Sequence, residues 1–260
     1  MAGFPVFILS DFGTDDTYAA QMRSAILSFA GYDTPVADLT HHVPRGSVIE
    51  GAFHLRACLP FLPPGSVTLA VVDPGVGTER RGLAALWRER LVVCPDNGLI
   101  SFLPHPVSLF QLPPPGPSSS STFHGRDWFA PCAARLSVDP GWTDSMKPLE
   151  DPVLLRFPGS LSGDGSISAT VIHVDGFGNS VLSIESSREI PAGELTLKWS
   201  GGSRPLMRVT CYQEAQRDKA AILRGSQGFW EIAFQGGSAG DLLGLTSGEG
   251  IEILLEREDR

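Results

Sequence analysis

Cysteine is scarce in this chain. Cys58, Cys94, Cys132 and Cys211 are scattered among apolar neighbours, and no two share a metal-binding spacing. That argues against a disulfide framework and for reduced, mostly buried thiols, as expected of a cytoplasmic protein. Positive charge is in deficit too. With 20 Lys and Arg against 29 Asp and Glu the formal net charge is -9, which argues against non-specific binding to nucleic acid or an anionic membrane. No apolar run approaches the roughly 18 residues that a membrane span needs. The Met1 end shows no basic leader with an apolar stretch and a cleavage site. There is no internal repeat. What is present is an ordinary globular composition, 42% apolar and 19% charged, in 260 residues, enough for one large domain or two modest ones. Such a balance suits a small ligand, a cationic one included.

The most informative stretch begins with Val67-Thr68-Leu69-Ala70-Val71-Val72, which reads as a buried strand: short, β-branched and stopped by Pro74-Gly75. Asp73 stands at its carboxyl end, where an open α/β sheet meets its ligands. Gly75 and Gly77 allow the chain to fold back and return Arg80 towards Asp73. On this stretch alone, an Asp that caps a turn and an Arg in solvent explain the residues as well, since Asp-Pro-Gly is ordinary turn chemistry.

Pro5 to Ser10 reads as a first strand, followed by Asp11-Phe12-Gly13-Thr14-Asp15-Asp16 and then by helical apolar spacing through Ala19, Met22, Ala25, Ile26 and Phe29. Three carboxylates therefore gather at a strand-to-helix turn; an N-cap role accounts for one of them. Val36 to Leu39 reads as a second strand leading to His41-His42. Adjacent histidines invite a metal, but chain neighbours rarely point to one site. Ser47 to Leu62 reads as a helix with Ser47 and Glu50 as a capping box. Leu83–Trp87 and Leu91–Cys94 are further strands, and Pro95-Asp96-Asn97-Gly98 is a turn. Leu112 to Pro117 with the serines after it is too rich in Pro, Gly and Ser to pack, and predicts an exposed, mobile loop. It runs into Thr122-Phe123-His124-Gly125-Arg126-Asp127, which opens a helix through Leu136; His124 caps, packs or acts there.

This alternation indicates an α/β domain with a wound, mainly parallel sheet over residues 1–150, with 139–152 as a linker. From Ser166 the pattern changes to seven short strands between turn signals, so residues 151–260 are expected to form a smaller all-β, barrel-like domain. Two of its stretches carry grouped polar residues, Asp175-Gly176-Phe177-Gly178-Asn179 and Ser226-Gln227-Gly228 through Gln235. Hairpin chemistry alone explains either.

Taken together these stretches resemble one family, the adenosine-forming S-adenosylmethionine hydroxide adenosyltransferases, relatives of fluorinase and chlorinase. The resemblance rests on Ser10-Asp11-Phe12-Gly13-Thr14 with Asp16, Val72-Asp73-Pro74-Gly75-Val76-Gly77 with Arg80, Pro95-Asp96-Asn97-Gly98, Phe123-His124-Gly125-Arg126-Asp127, Asp175 to Asn179, and Ser226-Gln227-Gly228 with Glu231-Ile232-Ala233. They run in order along nearly the whole chain. The resemblance implies hydrolysis of S-adenosyl-L-methionine to adenosine and L-methionine, with no cofactor and no metal. It places Asp73, Arg80 and His124 around the attacking water and Asp11 on the ribose hydroxyls. Asp16 and Asp175 fall at the methionine end, Asn179 at the adenine edge with Phe177 beside it, and Ser226 at the methionine carboxylate. It also implies a homotrimer with sites between subunits.

The chain departs from the pattern at three places. Gln235 stands where the C-terminal motif commonly has an Asn that meets adenine, Gln227 where halogenases have Arg, and Arg45 where the fluorinase has an aromatic. Asp73 stands where the halogenases carry Tyr. A carboxylate there would repel a halide and favour water. Two other functions fit parts of the sequence: a calcium-dependent nucleoside hydrolase, from Asp11 with Asp15-Asp16, and a non-catalytic sensor of S-adenosylmethionine or adenosine. The residues alone do not decide whether Asp73 takes a proton or orients the water.

Overall fold

Short β-branched runs alternate with helices over the first half of the chain, as the sequence leads one to expect. β1 (Val6–Ser10), α1 (Tyr18–Ala30), β2 (Val36–Thr40), α2 (Val48–Cys58) and β3 (Val67–Val71) come in succession. The hairpin β4 (Gly82–Trp87) and β5 (Arg90–Pro95) follows, then β6 (Ser108–Gln111), α3 (Ala130–Val138) and β7 (Lys147–Pro148). The computed structural model describes residues 3–157, 166–191 and 193–255. It divides into two units, Met1–Leu155 and Arg156–Arg260.

The first unit holds a seven-stranded sheet in the order β2-β1-β3-β5-β4-β6-β7. β1 pairs in parallel with β2 and β3, and β3 with β5. The remaining three pairings, which add β4, β6 and β7, are antiparallel. The chain leaves β1 for β2 on one side and comes back to β3 on the other. β1 and β3 thus flank the point where strand order reverses, the usual place for a ligand crevice. Period-two alternation sets the two faces. Val6, Ile8, Leu69 and Val71 pack with Met22 and Ile26 of α1 and Ala133 of α3, while Leu9, Ala70 and Val72 pack with Leu55 of α2.

Some local expectations are corrected. Ser47 precedes α2 but makes no backbone cap; its Oγ donates to Glu50 Oε1 at 3.4 Å. α2 gives way after Cys58 to a 3-10 turn, Leu59–Phe61, because Pro60 cannot donate to the α-ladder. The loop from Leu112 is irregular as expected, yet it is fastened: Trp128 Nε1 donates to the Pro113 carbonyl at 2.8 Å and Ser120 N to Asp127 Oδ2 at 3.0 Å. The segment read as a linker forms a 3-10 turn, Pro140–Ser145, and β7, which pairs with β6. A strand of two residues leaves no period in a sequence. Beyond it, Arg81 Nη1 donates to Asp151 Oδ1 at 2.7 Å and Arg81 Nε to Asp96 Oδ2 at 2.8 Å, while Asp96 Oδ1 accepts from Val153 N.

The second unit is a closed barrel of β8 (Ile167–Val174), β9 (Ser180–Glu185), β10 (Leu195–Trp199), β11 (Gly202–Arg208), β12 (Ala220–Arg224), β13 (Phe229–Ala233) and β14 (Gly250–Leu255). Its order is β10-β11-β12-β13-β9-β8-β14. Trp230 and Ile232 point into its core, which leaves Glu231 between them on the other face. A short helix unforeseen in the sequence, α4 (Ala239–Leu243), starts at Ser238, whose Oγ accepts from Asp241 N at 3.0 Å. Among the described residues no helix is long and apolar enough to cross a membrane.

Asp96 is 4% exposed and accepts from both Arg81 Nε and the Val153 backbone amide. Asp96→Ala is therefore expected to cost about 2 kcal/mol, and Asp96→Asn clearly less. Urea unfolding measures the loss, and hydrogen exchange should locate it in the first unit.

Candidate active site

Two neighbouring parallel strands end side by side, with Ser10 of β1 paired to Val71 of β3. The residues that follow, Asp11 and Asp73, therefore emerge together at the switch point. Val76 N donates to Asp73 O at 3.2 Å and Thr78 N to Gly75 O at 3.2 Å, which curls the loop and returns Arg80. Gly77 has φ 81° and a Cβ there would lie 2.6 Å from the Ser121 carbonyl, so the position demands glycine. Arg80 Nε donates to Asp73 Oδ1 at 2.6 Å and Nη2 to Oδ2, a two-pronged pair with both side chains at most 9% exposed.

His124 immediately precedes a π-helical turn, Gly125–Phe129, that leads into α3. Its Nδ1 lies 3.1 Å from both Nη1 and Nη2 of Arg80. A guanidinium only donates, so Nδ1 accepts, and the proton of the neutral imidazole sits on Nε2. Burial, then the Arg80 cation, push the imidazole below its ordinary value of 6.5; Asp73 and Asp127 partly oppose them. The guanidinium also lies 5.7 Å from the Trp128 ring and 5.6 Å from that of Phe129, which confine it from the side.

Asp11, Asp16, Asp73 and His124 line one cleft of about 320 Å³. Asp11 Oδ2 accepts from Gly46 N at 2.8 Å. Burial raises the Asp11 carboxyl, aided by Asp73, against the Gly46 amide and the Arg45 charge. Asp15 is exposed, and α1 begins after Thr17, so none of the three carboxylates is its cap. The two histidines part company: His41 is buried and His42 exposed.

The other expected site residues belong to the barrel. Asp175 Oδ1 accepts from Phe177 N at 2.9 Å and Asn179 N at 2.8 Å, and its Oδ2 accepts from Asn179 Nδ2 at 3.0 Å. The Asn179 amide is thus already tied to Asp175, while Phe177 is 87% exposed. Ser226 and Gln235 lie in exposed turns before and after β13, one at each end of that strand. Ile232 pairs with Ser180, so Gln235 shares its end of the barrel with the Asp175 loop.

Sequence reasoning missed an aromatic wall. Phe12, Tyr18 and Phe123 line the cleft, with ring centroids 5.2 to 5.7 Å apart. Phe12 and Phe123 are chain neighbours of Asp11 and His124, and that adjacency was the available signal. Arg45 lines the same cleft. Glu231, 6% exposed, was also missed: Tyr212 donates its hydroxyl to Oε1, and burial raises the carboxyl.

An α/β unit with a carboxylate–guanidinium–imidazole set at its switch point, joined in one chain to a closed seven-stranded barrel, defines a class of protein. Residues 6–144 match the family model described as SAM hydroxide adenosyltransferase N-terminal domain, and residues 169–252 match that of the C-terminal domain. The chain belongs to this SAM hydroxide adenosyltransferase family. The (R)-S-adenosyl-L-methionine hydrolase of Thermus thermophilus is 38% identical over 265 residues, 96% of this chain and 99% of the relative. A relative of the same name from Salinispora tropica is 36% identical over 94% of this chain and 95% of its own length. The crystal structure of a conserved hypothetical protein from Thermus thermophilus matches with a TM-score of 0.75 at 34% identity, over 98% of this chain and 100% of that one. An uncharacterized conserved protein from Thermotoga maritima shares the fold, with a TM-score of 0.81 at 24% identity over 96% and 99% of the two chains.

A depressed His124 has a definite signature. Its contribution to stability is complete above 6.5 and is lost as pH falls from there through the lower folded value. An NMR titration of the His124 ring should show a midpoint below 6.5, and Arg80→Gln should move it upward by removing the cation. A midpoint at or above 6.5 would contradict the buried, Arg-donated imidazole.

Proposed function

We propose that this protein hydrolyses S-adenosyl-L-methionine to adenosine and L-methionine by in-line attack of water on C5′. The observation that carries the reading is the Asp73–Arg80–His124 set, of which Asp73 and His124 line one cleft with Asp11. Four relatives between 27% and 38% identical bear the name (R)-S-adenosyl-L-methionine hydrolase, in agreement with it. In the reaction a C5′–O bond forms as the C5′–S bond breaks, and the electron pair of that bond leaves on sulfur. Methionine departs as a neutral thioether, so no general acid is required. Water must be aligned behind C5′ and must lose a proton. Arg80 and the Nε2–H of His124 supply donors for oxygen that becomes hydroxide-like, and Asp73 supplies the acceptor. Because Arg80 already engages both Asp73 oxygens, orientation of the water contributes more than basicity.

Asp11 holds the ribose hydroxyls with the acceptor capacity that Gly46 leaves it, and the aromatic wall offers the apolar surface. Asp16, Asp175 and Ser226 serve the methionine end, and Asn179, Phe177 and Gln235 the adenine. The residues divide between the two units, which is compatible with a homotrimer whose sites form between one copy's first unit and a neighbour's barrel. Light scattering should then find a trimer; a fully active monomer would refute that assembly. The reaction as drawn needs no metal or cofactor, so activity should survive a chelator.

Run in heavy-oxygen water, the reaction should place label in the 5′-hydroxyl of adenosine and none in methionine. The relatives' name specifies one sulfonium configuration, so both epimers are to be offered. Free adenine as first product would indicate attack at C1′, as in a calcium-dependent nucleoside hydrolase. Binding without turnover of either epimer would indicate a sensor. Asp73→Asn keeps the shape and removes the charge; turnover should drop roughly a hundredfold or more, with ligand affinity changed much less. Near-normal turnover in both Asp73→Asn and His124→Ala would refute the assigned roles.

A further inference from the structure

β1 and β2 are parallel neighbours, and the register brings their ends together, with Leu9 opposite Thr40. The next residues, Ser10 and His41, are 0% and 5% exposed. Ser10 Oγ lies 2.7 Å from His41 Nδ1 and accepts from Phe12 N at 3.4 Å. Gly13 N donates to the His41 carbonyl at 2.7 Å. On the far side of the ring Nε2 faces Asp38 Oδ1 at 3.3 Å, and Asp38 in turn is paired with Arg23. Serine, histidine and aspartate stand here in the chemical order of a hydrolytic triad. A serine without solvent exposure that already accepts a backbone amide is no nucleophile, and the chain has another use for it.

The hydrogen bonds on either side of Asp11 point to that use. Phe12 N–H goes to Ser10 Oγ, and a hydroxyl with one proton and two lone pairs can then donate to His41 Nδ1 or accept from it, so the contact forms with either imidazole tautomer. The Ser10–His41 contact is buried, and Phe12 N and Gly13 N join it to the backbone, which ties His41 to the segment on either side of Asp11. Asp11 lies inside it. The residue before it is hydrogen-bonded to His41, the residue after it hangs on Ser10, and Gly13 is held by the His41 carbonyl. We propose that His41 is a positioning residue for Asp11, acting through Ser10 to aim the Asp11 carboxylate into the cleft. This rests on the reading of Asp11 as the ribose-binding carboxylate.

The test compares His41→Leu, His41→Asn, Asp11→Ala and the His41→Leu/Asp11→Ala double variant by adenosine-formation kinetics, with thermal melts to confirm folding. His41→Leu should raise KM roughly tenfold with a smaller change in kcat, the mark of a lost binding interaction. His41→Asn, whose amide can accept from or donate to Ser10 Oγ, should recover most of the loss. In the Asp11→Ala background His41→Leu should add less than about twofold, because coupled residues are not additive. Fully additive losses, or equal losses in the Leu and Asn variants, would overturn the inference. If His41→Leu does not fold, Ser10→Ala against Ser10→Thr makes the same comparison, with the hydroxyl retained only in the latter. If the wild type forms no adenosine, the proposed reaction fails and this inference is decided separately: calorimetric binding of adenosine should still weaken in His41→Leu and recover in His41→Asn, and equal binding by the two would overturn it.

Discussion

A guanidinium held against a carboxylate on two prongs, Arg80 on Asp73, governs the arrangement of everything near it. Both side chains are at most 9% exposed, so each charge depends on the other, and loss of one would strand its partner away from water. The N–H groups of Arg80 that the pair does not use can reach only a group that accepts, and His124 Nδ1 is such a group. The imidazole tautomer therefore follows from the ion pair. The rings of Trp128 and Phe129 limit where the guanidinium can sit. From below, Asn97 Nδ2 donates to the Val72 carbonyl at 2.8 Å and fixes the chain just before Asp73. Gly77 then lets the loop approach the Ser121 carbonyl as no side-chain-bearing residue could. Distant stretches of sequence thus converge on one geometry.

How much of this was legible depends on the length over which a signal extends. Val67 to Val72 shows its strand because a buried parallel strand is continuously apolar, and the seven strands of the barrel show theirs between turn residues. Asp73, Arg80 and His124 were legible as candidates because glycine-rich motifs surround them. β6 and β7 were not, for they run four and two residues and pair antiparallel at the sheet's edge. The linker reading failed for the same reason, compounded by Arg81, whose bond to Asp151 spans 70 residues of chain and has no local trace. The π-helical turn after His124 likewise arises from packing: Trp128 reaches back to Pro113, and Asp127 to Ser120.

Individual partners were the least legible of all. A motif says that Asp175 and Asn179 stand near each other, but not that Asn179 donates its amide to Asp175. A carboxylate has about four acceptor sites, and the loop's own donors occupy three of them. Asp175 therefore keeps room for one further donor. Glu231 shows the converse: a carboxylate in the apolar alternation of β13 reads as the polar face of a strand, yet it is buried, tied to Tyr212 and raised by burial and then by the charge of Asp175.

Under the proposed reaction, the chemistry of the leaving group sets unequal demands on the two ends of the substrate. A sulfonium that departs as a thioether gains no charge, so a transition state of this kind makes no demand for an acid or a cation near sulfur. Attacking water, by contrast, moves towards hydroxide and must be held, deprotonated and kept in line. In the first unit Arg80 is hydrogen-bonded to both Asp73 and the neutral His124 ring, whereas Asp16, proposed for the methionine end, is exposed. Asp11 stands between these two regimes. Its backbone is fastened by the Ser10–His41 contact and its carboxylate by Gly46, so a sugar gripped there would present C5′ at a set distance from Asp73. In that proposed mode, precision at the ribose would become precision at the reacting carbon, since a small displacement of the anchor would be transmitted directly to the line of attack.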